Sequence, residues 1–138
     1  KINPHKLSKI MIPNFKEVHE CIIIDMNNEI TEEKINFRRI LSMFGDRTGY
    51  EASCNEIRIN DYIDYCGEFA VIELRKIIMD TWKYKLKLEF SKYKFCIILS
   101  FSEGYTTLRF HVVRENEGSW LKDDLDEYKD TAIIVQEF

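Results

Sequence analysis

Five carboxylates crowd one short stretch, SWLKDDLDEYKD, residues 119–130: Asp123, Asp124, Asp126, Glu127 and Asp130. Acids so closely spaced could bind calcium, move protons or present negative charge to a cation. A calcium loop of the EF-hand kind needs oxygen ligands at alternate early positions and a glycine at its sharp turn. Asp124 and Asp126 supply the first two, but Tyr128 stands at the third and no glycine follows. Catalytic carboxylate pairs sit across a cleft, with one pKa raised by burial. A helix over 119–129 instead puts Asp123, Glu127 and Asp130 on one side, while Trp120, Leu121, Leu125 and Tyr128 turn to a core. Asp123 and Asp124 fall in its first turns, where the helix dipole favours anions. The pattern points to a solvated helix face or a docking surface. It does not point to metal or catalysis.

Other reactive residues are sparse. Cysteines stand at 21, 54, 66 and 96, widely spaced and without a CxxC pair, which reads as reduced thiols and not as a zinc site. Pairing the strands by pattern sets Cys96 opposite His111 on the outer sheet face, near Lys87 and Arg109. A cysteine beside a histidine can be an activated nucleophile, but an open sheet face offers no oxyanion donor, so an exposed or half-covered pair is expected. The same face would carry Lys83, Lys85, Lys87, Lys94 and Arg109. Sheet-type RNA binders also expose aromatic rings, and here the rings fall on the opposite face. No nucleic acid partner is expected. Glycine-rich phosphate loops, GxSxG and HExxH are absent.

Several elements could position these residues. Val18, Ile22 and Ile24 read as one strand over 16–25. Thr31 reads as an N-cap, with Ile35, Phe37, Ile40, Leu41 and Phe44 at helical spacing and Gly45 as the stop, which gives a helix over 32–44. Residues 46–60 read as a loop with room for a short strand. Asn60 can cap a helix over 60–80. Period-two alternation then runs through 82–90, 93–101 and 105–114, an antiparallel meander with one buried face. Two-residue loops pair Phe90 with Tyr93, and Phe101 with Thr106. Lysine's helix propensity leaves one alternative open, that 82–90 extends the preceding helix. Residues 131–138 form a final strand returning to the sheet. The fold class is α+β: an antiparallel sheet of four to five strands, packed on one face by helices near 32–44, 60–80 and 119–129.

The 138 residues suit a single domain, 1–138, and 45% hydrophobic content is enough for one core. The longest apolar run is five residues, 95–99, so no membrane span is expected. The first residues lack the apolar middle of a secretion signal, and a cytoplasmic location is expected. Residues 115–138 hold eight acids and two lysines, a balance of −6 against −4 for the whole chain, which leaves +2 elsewhere. That asymmetry favours a basic protein partner at the C-terminal end.

Small size, acidic balance, an α+β plan and the end segment RFHVVRENEGSWLKDDLDEYKD resemble the bacterial immunity proteins of polymorphic and contact-dependent growth-inhibition toxin systems. The tryptophan- and glycine-rich signatures of one large immunity superfamily are not evident, so no subfamily follows. The resemblance implies a cytosolic inhibitor, not an enzyme, with no cofactor or metal, that binds one cognate toxin and blocks its active site. Such toxins are often nucleases, whose sites are positive because they hold phosphates. The expected contact set is Glu115, Glu117, Trp120, Asp123, Asp124, Asp126, Glu127 and Asp130, with Trp120 or Tyr128 as aromatic anchor. The alternative is a small-molecule-binding protein or enzyme with an apolar pocket.

Overall fold

The computed structural model describes residues 4–63, 68–102, 105–121 and 132–138. Its elements are α1 (Pro4–Met11), β1 (Phe15–Val18), β2 (Cys21–Ile24), α2 (Phe37–Phe44), α3 (Arg47–Cys54), β3 (Ile57–Arg58), α4 (Glu68–Glu89), β4 (Phe95–Ser102), β5 (Tyr105–Val112) and β6 (Ala132–Glu137). β1 and β2 form one antiparallel sheet, and β3-β5-β4-β6 form a second. The fold is α+β. Among the described residues, no helix is long and apolar enough to cross a membrane.

The β4–β5 register agrees with the sequence reading. Phe101 faces Thr106, Ile97 faces Phe110 and Cys96 faces His111. The last strand also joins as expected, with β6 antiparallel on the free side of β4 and Ile134 opposite Leu99.

The expected strand over 82–90 is instead the end of α4, so the Phe90–Tyr93 hairpin does not form. Trp82, Leu86 and Phe90 satisfy a period of two and a period of four alike. What decides is the preceding sequence: Leu74, Ile78, Trp82, Leu86 and Phe90 make one continuous stripe, and no glycine or proline interrupts it. Trp82 and Leu86 are fully buried, whereas Tyr84 and Leu88 are 80% and 79% exposed. Lys83, Lys85 and Lys87 therefore lie on a helix and not on the outer sheet face. The helix expected over 60–80 starts later, at Glu68, and Asn60 serves elsewhere: its Oδ1 accepts from the Thr106 N–H at 2.8 Å.

Three further expectations are corrected. The single strand over 16–25 is a hairpin, with His19 and Glu20 as its two turn residues. The helix over 32–44 is split into a 3-10 turn, Glu32–Lys34, and α2. Thr31 makes no side-chain cap, while Asn36 caps α2 through the Arg39 N–H at 3.1 Å. An asparagine in mid-stretch competes for the backbone in this way and starts a helix better than it continues one. Gly45 ends α2 at φ 85° as expected. The loop over 46–60 holds α3 and β3. Asp46 caps α3 through Gly49 N–H at 2.7 Å, and a Cβ on Gly49 would meet the Phe44 carbonyl oxygen at 2.6 Å.

Two cores flank the hairpin. On one side α1 and α4 cover the four-stranded sheet, packing Ile10, Ile78, Trp82 and Leu86 on Phe95, Ile97, Leu108 and Phe110. Trp82 and Phe110 meet edge-on at 5.9 Å. On the other side Val18, Cys21, Ile23 and Tyr50 gather Ile35, Phe37, Ile40 and Phe44. The run Cys21–Ile24 is apolar without alternation because both of its faces are covered. The opposite face of the large sheet is covered too, by Leu121 and Val113 over Cys96 and Ile98.

Candidate functional site

The hairpin turn is the most constrained piece of backbone. His19 and Glu20 have φ of 49° and 64°, the pair of left-handed conformations that a two-residue hairpin turn demands. Neither residue is the usual glycine or asparagine. Each costs about 1–2 kcal/mol there, so the rest of the chain must hold the turn. The Arg47 Nε donates to the His19 carbonyl at 2.9 Å, and an Arg114 Nη donates to the Glu20 carbonyl at 3.0 Å. The His19 N–H donates to the Glu32 carboxylate at 2.9 Å, and its ring stacks on Phe37 at 4.8 Å.

Both arginines are anchored in α3 or against it. Arg47 opens that helix, and Arg114 lies just beyond β5. Glu51, one turn into α3, is completely buried. One of its oxygens accepts from the Ile22 N–H at 2.7 Å. The other accepts from the Val112 N–H at 3.0 Å and from Arg114 at 2.6 Å. Burial pushes the Glu51 carboxyl up, and Arg114 with the two N–H groups pulls it part of the way back. Burial alone would depress the Arg114 guanidinium, but Glu51 more than offsets this and holds it above its ordinary value. Asn55, one turn further, accepts from the Ile24 N–H at 2.9 Å and donates to the carbonyls of Ile22 and Phe110 at 2.8 and 3.3 Å. Beyond the short β3, β5 thus meets β2 through these two side chains, in place of a strand ladder.

The residues expected from sequence divide into three groups. Glu117 is not a free surface acid: its Oε1 accepts from the Thr48 N–H at 2.8 Å, at the start of α3, and its Oε2 lies 3.8 Å from Arg114. An anion suits that helix end. Glu115 is exposed. Together with Glu20, Arg47, Tyr93, Arg114 and Glu117 it lines an open cleft of ≈ 470 Å³. Trp120 is 37% exposed, with the Arg109 guanidinium 4.0 Å from its ring centre. Arg109 is itself fixed by the Ala52 carbonyl at 3.0 Å and by Glu56 at 3.2 Å. Asp123, Asp124, Asp126, Glu127 and Asp130 lie outside the described residues, as does the expected helix beyond Leu121. Ser119, Trp120 and Leu121 are not helical.

Cys96 and His111 do stand opposite each other, but not on an exposed face. Each is 3% exposed. Burial, with help from Glu137, pushes the Cys96 thiol up to about 11, so no thiolate nucleophile forms at neutral pH. The His111 Nδ1 donates to the Val112 carbonyl at 2.9 Å, and its Nε2 has no partner among the described residues. Lys87 is on α4, away from this pair. Among the described residues, no three His, Cys, Asp or Glu side chains are grouped to hold a metal.

A family model described as the uncharacterized protein PM0498 family matches residues 1–138. The chain belongs to that family. No curated protein and no solved structure matches it. Within this PM0498 family member, sequence reasoning missed Arg47, Glu51, Asn55 and Arg114. Glu51 and Asn55 share the one-turn spacing of a helix face, but Gly49 and the polar flanks make the stretch look like a loop.

Proposed function

We propose that this chain is a small binding protein that neutralises a basic partner, acting in the cytoplasm as an immunity protein against a cognate toxin. A toxin of the nuclease class fits best, because its phosphate-holding site is positive. The observation that carries this reading is the fixed placement of residues 114–120, which lead into the acid-rich stretch. Arg114 is clamped by buried Glu51, Glu117 caps α3, and Arg109 holds Trp120. Glu115 thereby stays exposed at the cleft rim beside Glu20, at the start of a stretch whose balance is −6. Concentrated negative charge speeds association with a basic partner, and side chains already held in place, as Trp120 is, lose little entropy on binding. Glu117 serves the mount, which leaves Glu115, Trp120, Asp123, Asp124, Asp126, Glu127 and Asp130 as the contact set.

The test looks for a toxin domain encoded beside this chain and pairs the two. Co-expression should restore growth. Calorimetry on a variant with Glu115, Asp123, Asp124 and Glu127 changed to lysine should give a Kd at least about tenfold weaker, with slower association at low salt. Unaltered binding by that variant would overturn the acidic-surface reading, and absence of any complex would overturn the immunity reading.

A further inference from the structure

A second surface, on α4, has the opposite charge. The stretch 82–94 holds five lysines and one glutamate in a chain whose net charge is −4. Three of these lysines reach carboxylates of their own chain: Lys85 to Glu89 at 3.9 Å, Lys92 to Glu17 at 3.2 Å and Lys94 to Glu137 at 3.2 Å. Lys83 and Lys87 reach none among the described residues. These two flank Tyr84 and Leu88, the most exposed large apolar side chains among the described residues. All four line one open depression of ≈ 430 Å³, where the Lys83 ammonium also lies 5.6 Å from the Phe138 ring centre. Tyr84 and Leu88 are one helical turn apart, so their side chains are neighbours.

We propose that this face of α4 docks an acidic protein segment, one that puts an apolar side chain between Tyr84 and Leu88 and carboxylates on Lys83 and Lys87. Two ammoniums that meet no carboxylate among the described residues define the charge of the occupant. The exposed apolar pair defines its other half, because burying Tyr84 and Leu88 removes apolar area from water. The depression is sized for one or two side chains and not for a lipid surface. A long polyanion such as RNA would also meet the repulsion of the remaining acidic surface. The four lining residues are not in the contact set proposed above, and the docking does not depend on that set's role.

The chain's own residues 119–130, made as a synthetic peptide, are a suitable probe, since they combine five acids with leucine and tyrosine. Titrated into the isotopically labelled full-length protein at about 50 mM salt, the peptide should shift the amide resonances of residues 83–88. Lys83→Glu with Lys87→Glu should weaken binding about tenfold or more. Tyr84→Ser with Leu88→Ser should weaken it similarly, and because both side chains are exposed the variant should keep its melting temperature. A control peptide with Asn and Gln for its acids should not bind. No shift at α4, shifts unaffected by either variant, or tighter binding to poly(U) RNA or to phosphatidylserine vesicles than to the peptide would each overturn the proposal. So would self-association that both variants leave intact.

Discussion

Replacing Glu51 by glutamine keeps the side chain's shape and removes its charge. The Arg114 guanidinium, 11% exposed, would then lose its 2.6 Å partner and keep only Glu117 at 3.8 Å, and an N–H pair would meet backbone donors at Ile22 or Val112. Breaking one half of a buried ion pair costs about 3–5 kcal/mol. Urea denaturation of Glu51→Gln should show a loss in that range, and a further Arg114→Met change should recover part of it. A loss below about 1 kcal/mol would mean that the pair is not needed. These residues were illegible in the sequence for a physical reason. A buried ion pair needs partners far apart in the chain, here 51 with 114, 22 and 112, and no local pattern records that distance. The acids of 119–130 were conspicuous because they are contiguous, whereas Glu117, placed among the surface acids by the same reasoning, is spent on capping α3.

Among the elements, the hairpin β1–β2 and helix α4 show what local pattern can and cannot decide. The strand content of 16–25 was legible, but its reversal at His19-Glu20 was not, because the residues there lack the turn chemistry that usually marks one. Tertiary donors from Arg47 and Arg114 supply what the sequence omits. It follows that the turn can be relieved at little expense to its anchors, which hold carbonyls and touch the Glu20 carboxylate only through an exposed contact to Arg47 at 3.9 Å. Glu20→Gly should raise stability by about 0.5–1 kcal/mol, the left-handed strain removed less glycine's extra chain entropy. Thermal melts would check this, and a lowered melting temperature would count against a strained turn. In α4 the alternation over 82–90 was real but ambiguous, since apolar positions every four residues serve both periods. The β4–β5 register was legible because period two there runs unbroken and either slip would have turned Phe95, Ile97, Phe110 and Val112 toward the wrong face.

At the scale of the whole molecule, pH acts through a histidine that the fold keeps neutral. Burial lowers the His111 pKa below its ordinary 6.5, with the charge of Arg114 adding to this and the Val112 carbonyl opposing it. A depressed histidine favours the unfolded state once that state takes up the proton. Stability is therefore fully present above 6.5 and is lost as pH falls from there toward the lower folded value. Denaturation midpoints between about pH 7.5 and about pH 5.5 should fall, and more steeply in the native chain than in His111→Gln. Equal slopes would remove His111 from the explanation. The α+β class and the direction of the charge asymmetry were legible at this scale because composition and periodicity sum over many residues. How the two sheets meet was not, because the backbone groups of β2 and β5 are bridged by the Glu51 and Asn55 side chains, with Phe15 and Ile22 packed on Phe110 beside them. A strand ladder requires two strands to agree in length, twist and register along their whole contact. A splint made by two side chains on neighbouring turns of one helix asks only that a few backbone groups come within reach of them. The hairpin is thus released from the backbone register of the larger sheet and is tied to it instead by side chains, so its tilt answers to the packing of Phe15, Ile22 and Ile24 and not to a ladder.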